Sequence, residues 1–215
     1  MNDGTENIMD LEQQNFNVPT TELETVTIRF AGDSGDGMQL TGNQFTQSSV
    51  MIGNDVITFP DYPAEIRAPA GTLAGVSGFE LSFSKHDIHA TGGRISVLIA
   101  MNPAALKVNL GDLEKGGILI VNSDSFSKND LRKAEYDVNP LESEEIQNYR
   151  LVQIPFTNLT LKAVEESGLS HREGGRCKNF FALGVVQWLF DRPIDNTRDW
   201  IQQKFKKREE IVKAN

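Results

Sequence analysis

The chain has 215 residues, 39% hydrophobic and 24% charged, enough for one hydrophobic core with a small appendage. Its single cysteine excludes an internal disulfide and a four-cysteine iron–sulfur cluster held by this chain alone, and no run approaches the roughly 18 apolar residues of a membrane span. The formal net charge is −9, and no basic stripe with interleaved aromatics appears, which argues against nucleic acid as a partner.

The first part of the chain divides into an acidic tail and the start of a domain. Residues 1–24 contain six acids and no Lys or Arg, with no sustained period, and we expect a disordered extension there. The domain is predicted to span 25–215. It opens with an alternating β-branched strand, Thr25–Ala31, then a glycine turn at 32–37, then a helix with apolar residues at helical spacing over 38–52.

The remaining elements continue the alternation of strands and helices. Short apolar runs predict strands at 55–59, 75–83, 94–100, 116–121 and 150–154. Helical patterns cover 103–110, 157–167, 180–190 and 197–213. Near-continuous apolar strands are typical of a parallel sheet that is buried on both faces. The sequence therefore predicts an α/β domain, a mostly parallel open sheet flanked by helices in a Rossmann-like three-layer arrangement.

The glycine turn that follows the first strand is a candidate binding element. Gly32, Gly35 and Gly37 allow a tight turn, and free N–H groups at the next helix start suit a phosphate or a carboxylate. The spacing differs from the dinucleotide fingerprint, however, and Asp33 and Asp36 would repel a pyrophosphate. A tight turn that only packs the helix on the sheet is the alternative.

Two motifs that would bind a metal are incomplete. Gly35–Gly37 resembles the start of the thiamine-diphosphate magnesium motif, but the required downstream Asn is missing, since no Asn occurs between Asp55 and Met101. His86 and His89 flank an Asp without an evident third ligand. We therefore predict that this chain holds neither a metal nor thiamine diphosphate.

A proline-stiffened loop over 61–71 carries Glu65 and Arg67 on alternate positions. These two side chains could form an internal ion pair or a docking surface. In a monomer the segment would be a rigid surface loop, whereas for a subunit of a larger assembly we predict that these side chains contact a partner.

A basic segment precedes the apolar helix near the end of the chain. Arg172, Arg176 and Lys178 place cations in a glycine-rich segment at a helix N-terminus, where they oppose the helix dipole and favour an anionic ligand. Lys128, with Lys133, could add a second basic point at the same strand ends. The alternative is a solvated cluster balanced by nearby glutamates, at Glu165, Glu166 and Glu173. Cys177 in this segment could be a reactive thiol or a buried small apolar residue.

Three segments together resemble one family. Residues 28–38, 62–71 and 178–184 are similar to the gamma domain of 2-oxoacid:ferredoxin oxidoreductases, in the same order and at compatible distances. The likeness is greatest to the N-terminal part of the alpha subunit of the 2-oxoglutarate-type enzymes. Ala68–Pro69 replaces the Gly-Gly pair of the more general gamma subunits, which favours the 2-oxoglutarate branch.

The resemblance implies a function that depends on partners. It implies CoA-dependent oxidative decarboxylation of a 2-oxoacid to acyl-CoA, CO2 and reduced ferredoxin. The single cysteine separately favours a reducing cytoplasm. Thiamine diphosphate, magnesium and an iron–sulfur cluster are expected on the thiamine-binding beta subunit, the alpha domain or other chains, with no cofactor held by this chain alone and no turnover without them. The gamma domain would help to admit CoA, and we carry that role to Lys178 and Lys128, with Arg176 and Asn179.

Two other functions remain open on the sequence alone. One is a stand-alone nucleotide-binding module that uses the glycine turn at 32–37. The other is a purely structural subunit whose proline loop and tail only hold neighbours together.

Overall fold

The computed structural model describes residues 20–65, 67–89 and 93–215 of the chain. The predicted tail therefore lies mostly outside the described residues. The strands are β1 Thr25–Asp33, β2 Asp55–Asp61, β3 Val76–Ser84, β4 Ile95–Ala100, β5 Leu113–Asn122 and β6 Arg150–Ile154. The α-helices are α1 Met38–Met51, α2 Pro103–Asn109, α3 Lys128–Lys133, α4 Phe156–Ala163, α5 His171–Gly174, α6 Lys178–Leu189, α7 Asp195–Lys204 and α8 Glu209–Ala214.

The six strands form one sheet in the order β2-β3-β1-β4-β5-β6. β1, β4, β5 and β6 pair in parallel, whereas β3 is antiparallel to both of its neighbours, β1 and β2. All strands except β3 therefore end at the same edge, called the carboxyl edge below. The prediction of a mostly parallel sheet is confirmed.

Helices cover both faces of the sheet. On one face, Phe30 of β1 and Phe45 of α1 belong to a core that also includes Leu183 of α6. On the other face, Leu98 of β4 packs in a separate core with Leu106 of α2. Two cores separated by the sheet make the three-layer arrangement that near-continuous apolar strands predict.

The predicted last helix is wrong in one respect, because the chain breaks it into α7 and α8. The backbone turns at Arg208, whose N–H donates to the Phe205 carbonyl at 2.7 Å. The Arg208 guanidinium then pairs with Glu173 at 3.0 Å, a residue of α5. A continuous helix would also crowd like charges at Lys204 and Arg208 one turn apart. The distant ion pair and this repulsion together favour the break.

Two short helices were not predicted from the sequence. α3 begins after Ser127, whose side chain accepts from the Asp130 N–H. α5 has a full capping box, in which Ser170 and Glu173 each bond the other's backbone. The segment expected to be a glycine loop is therefore largely helical.

Among the described residues, no helix combines the length and apolar character needed to cross a membrane. The same part of the chain contains no group of three His, Cys, Asp or Glu side chains arranged to hold a metal ion.

Candidate functional site

The carboxyl edge contains a crevice between β1 and β4. The chain leaves β1 into α1, which packs on one face of the sheet, and leaves β4 into α2, which packs on the other. Neighbouring parallel strands whose helices go to opposite faces define a topological switch point, where open α/β sheets bind their ligands. The turn that begins at the end of β1 is therefore the candidate ligand site.

Three segments meet at this crevice: the glycine turn at 32–37, the loop at 62–75, and the segment at 171–179. The turn and the loop are joined by a backbone hydrogen bond from the Ser34 N–H to the Gly75 carbonyl, 3.2 Å long. Between the three segments lies a cavity of about 550 Å³, called the basic cavity below. Its charged lining residues are Asp33, Asp36, Arg172, Arg176 and Lys178.

Asp33 ties the proline loop to the glycine turn. Both of its carboxylate oxygens accept from the Gly71 N–H, at 3.0 and 3.1 Å. Burial raises the pKa of this carboxyl group, and the charge of Asp36 adds to the increase. Hydrogen bonds from Gly71 and from Asn102, at the end of β4, oppose that rise. Asp33 therefore acts on the shape of the cavity through the backbone of the loop.

Asp36 forms an ion pair with Lys178 across the cavity. Asp36 Oδ1 lies 2.8 Å from Lys178 Nζ, and the two side chains are only 15% and 22% exposed. The other oxygen, Oδ2, accepts from the Asp33 N–H at 3.1 Å. The acid that was expected to repel a pyrophosphate is thus neutralised by a cation from the first turn of α6.

Gly37 and Asn179 hold the starts of α1 and α6 together. Gly37 has a φ of 77°, and a Cβ there would lie 2.4 Å from Asn179 Nδ2. Asn179 is 8% exposed, and its carbonyl accepts from the Thr41 hydroxyl at 3.5 Å. Asn179 is not among the residues that line the basic cavity. Its observed contacts position the two helix starts.

Arg172 and Arg176 extend exposed side chains at the cavity, and neither forms an ion pair within the described residues. The nearby Glu173 does not balance them. Its carboxylate bonds Ser170 and Arg208, and these contacts lower its pKa to about 2. The basic cavity therefore offers two guanidinium groups to an external anion.

The model of the pyruvate ferredoxin/flavodoxin oxidoreductase family matches residues 27–215. The chain belongs to this family.

Two curated relatives in this family are longer than the chain. The 2-oxoglutarate oxidoreductase subunit KorA of Mycobacterium tuberculosis is 54% identical over 193 residues, which cover 90% of this chain and 30% of that protein. The ketoisovalerate oxidoreductase subunit VorA of Methanothermobacter marburgensis is 25% identical over 201 residues, which cover 92% of this chain and 36% of that protein. The chain thus spans about a third of the length of the curated relatives that it matches.

Solved structures of the family share the fold. The 2-oxoglutarate:ferredoxin oxidoreductase of Magnetococcus marinus, with 2-oxoglutarate, coenzyme A and succinyl-CoA bound, matches with a TM-score of 0.67 at 23% identity, over 90% of this chain and 29% of that one. The gamma subunit of a keto/oxoacid ferredoxin oxidoreductase from Geobacter sulfurreducens matches with a TM-score of 0.57 at 22% identity. This match covers 88% of this chain and 93% of that one.

Some residues that were predicted to bind CoA do not line the basic cavity. Lys128 is exposed in the first turn of α3 and does not line the basic cavity. Lys133, at the end of α3, is nearer, because its Cδ lies 3.3 Å from the position a Cβ of Gly71 would take. Of the three predicted glycines, only Gly35 lines the cavity. Gly32 and Gly37 instead allow close backbone packing.

The remaining predicted residues, Glu65, Arg67 and Cys177, do not line the basic cavity. Glu65 and Arg67 are exposed, and no ion pair joins them in the described structure. Their contact with a partner stays a prediction. Cys177 is 6% exposed and burial raises its thiol pKa, which favours the buried, unreactive interpretation.

Sequence reasoning missed Asn102 in this family member. It caps α2 by accepting from the Ala105 N–H at 2.8 Å, and its side chain opposes the rise in the pKa of Asp33. The Asn-Pro pair before an apolar helix is a capping signal, so the cap could have been found from the sequence. Its effect on the pKa of Asp33 could not, because that effect depends on the pairing of β1 with β4.

Proposed function

We propose that this chain is a component of a 2-oxoacid:ferredoxin oxidoreductase, with 2-oxoglutarate as the favoured substrate, and that its basic cavity receives CoA. The family membership and the 54% identity to KorA support the reaction class and the substrate. The reaction is the CoA-dependent oxidative decarboxylation of the 2-oxoacid to acyl-CoA and CO2, with ferredoxin as the electron acceptor.

The observation that carries the CoA assignment is the charge of the basic cavity at the switch point. Arg172 and Arg176 present guanidinium forks that match phosphate oxygens in bidentate geometry. Lys178, which is paired with Asp36, contributes further N–H donors. CoA carries a pyrophosphate and a further phosphate, so its anionic half suits this lining.

The remaining chemistry is assigned to partners. Thiamine diphosphate with magnesium would supply the decarboxylation, and an iron–sulfur cluster would carry electrons to ferredoxin. One cysteine cannot supply four thiolate ligands, so we place the cluster on another domain or chain. The expected partners are a thiamine-binding beta subunit and an alpha domain. Iron–sulfur chemistry and the single cysteine both favour a reducing cytoplasm.

The test is a kinetic comparison in the assembled enzyme. The chain is co-expressed with the thiamine-binding subunit and the alpha domain, and 2-oxoglutarate-dependent dye reduction is followed against CoA concentration. We expect Arg176→Ala and Lys178→Ala to raise the KM for CoA about tenfold or more, since each charge-assisted hydrogen bond contributes about 1.5–3 kcal/mol. The KM for 2-oxoglutarate should change little.

The matched control is Lys162→Ala, an exposed lysine that lines a separate cavity near α4. It should leave the KM for CoA unchanged. An unchanged KM in Arg176→Ala and Lys178→Ala would support the structural-subunit alternative. Tighter binding of NAD or ATP than of CoA by the chain alone would support the nucleotide-binding module.

A further inference from the structure

The basic cavity contains an internal acid at the place where an anion would bind. Asp36 Oδ1 accepts from Lys178 Nζ at 2.8 Å, and both side chains are mostly buried. An ammonium group has three donors, so one is taken by Asp36 and two remain for a ligand. A phosphate that reaches Lys178 must therefore lie beside the carboxylate of Asp36.

The position of Asp36 is fixed by its own turn. Its Oδ2 accepts from the Asp33 N–H, and its N–H donates to the Asp33 carbonyl at 2.8 Å. Gly32 leaves the space for this carboxylate, because a Cβ there would lie 3.0 Å from Asp36 Oδ2. Since both oxygens are bonded and the turn is tight, Asp36 is poorly placed to move away when an anion arrives.

We propose that Asp36 is an affinity-limiting residue of the CoA site, which orients Lys178 and at the same time reduces the attraction of the cavity for phosphate groups. This inference rests on the proposed function. The cosubstrate and the acyl-CoA product carry the same phosphates, so a cavity with full positive charge would hold both tightly. An acid paired with one of the three cations weakens the binding of both and favours product release.

The experiment measures the dissociation constants of CoA, succinyl-CoA and inorganic pyrophosphate by titration calorimetry with the full 215-residue chain at two salt concentrations. In Asp36→Asn, we expect each dissociation constant to fall about fourfold at low salt. This is the effect of removing one unit charge that lies about 5 Å from the ligand in a water-screened site. The salt dependence of binding should become steeper, because the cavity gains net positive charge. Damage to the site would weaken binding, so a tighter constant is not a structural side effect.

Asp36→Ser is measured in parallel, because Ser also suits a tight turn and removes the same charge. Asp61→Asn is the control, an exposed acid at the end of β2 that does not line the cavity, and it should leave all constants unchanged. The wild type should bind CoA, and Lys178→Ala should weaken that binding. If both hold and folded Asp36→Asn or Asp36→Ser binds CoA more weakly than the wild type or equally well, this inference alone is overturned. No CoA binding by the wild type would overturn the inference together with the proposed site.

Discussion

Gly37 is the residue at which the backbone of the glycine turn is most constrained. Its φ of 77° is costly for a residue with a side chain, and a Cβ would press on Asn179. We expect Gly37→Ala to lower the free energy of unfolding by about 1–3 kcal/mol. Urea denaturation followed by circular dichroism would measure this loss.

The control for that substitution is Gly35→Ala in the same turn. A Cβ at Gly35 would meet no atom within 4 Å, and its φ lies outside the left-handed region. Its free energy of unfolding should stay within about 0.5 kcal/mol of the wild type. Equal losses in both variants would show that Asn179 does not restrict position 37.

Glu173 should make the stability of the chain depend on pH in the acid range. The bonds from Ser170 and Arg208 lower its pKa from 4.5 to about 2. A carboxylate with a lowered pKa in the folded state stabilises that state above its unfolded pKa, and this contribution is lost as pH falls. We expect the contribution of Glu173 to be complete above about pH 4.5 and to disappear toward pH 2.

The measurement is the urea midpoint at pH 7 and at pH 3 for the wild type and for Glu173→Gln. The variant should have a lower midpoint at pH 7 and a smaller decrease at pH 3. Glu166→Gln is the control, because Glu166 is exposed and forms no ion pair among the described residues. If Glu173→Gln and the wild type lose the same stability between the two pH values, the capping box and the Arg208 pair do not act as described.

At the scale of elements, α1 packs unusually close to the sheet. Gly42 of α1 faces Phe79 of β3, and a Cβ at Gly42 would lie 2.0 Å from the Phe79 ring. We expect Gly42→Ala to destabilise the fold by about 1–3 kcal/mol, because the buried Phe79 ring would have to move to make room for the added Cβ. Thermal unfolding of the variant and the wild type would measure this change in stability.

At Gly184 of α6, the same Gly→Ala substitution should change the stability in the opposite direction. It is exposed, and a Cβ there would meet no atom within 4 Å. Ala is the better helix former, so Gly184→Ala should stabilise the chain by about 0.5–1 kcal/mol. Destabilisation by both substitutions would show that α6 is not packed as the structure has it.

The edge strand β2 shows how one element avoids pairing with other chains. The N–H of Val56 is occupied by its neighbour Asp55, whose Oδ1 lies 3.0 Å away, and Pro60 has no N–H to offer. An edge strand with few available donors is a poor template for further strands.

At the scale of the whole molecule, the predicted partner contact lies on the exposed proline loop. Tyr62 is 69% exposed at the start of the proline loop, which also carries Glu65 and Arg67. If this loop contacts a partner, Arg67→Ala should lower the yield of the thiamine-binding subunit in a pull-down with the tagged chain. Lys115→Ala should not, because Lys115 is exposed near the opposite edge of the sheet, at the start of β5. Equal yields from both variants would contradict the predicted contact.

The sequence by itself determined the order and type of the main elements. Alternation and apolar runs located all six strands, because those periods are local consequences of which faces are buried. The same local reasoning identified the cations Arg176 and Lys178, and the ordered motifs identified the family. It failed where a distant group changed a local preference, as when the pairing of Arg208 with Glu173 helped to divide the last helix.

Only the tertiary structure decided which charged groups meet. Asp36 and Lys178 lie far apart in sequence, and their ion pair exists because α6 packs against α1, which brings the start of α6 beside the turn after β1. The folded chain also leaves Lys128 outside the basic cavity. The physical reason is that side-chain periodicity reports burial along one element, whereas a binding site depends on distances between elements, which the pairing and crossovers of the whole sheet fix.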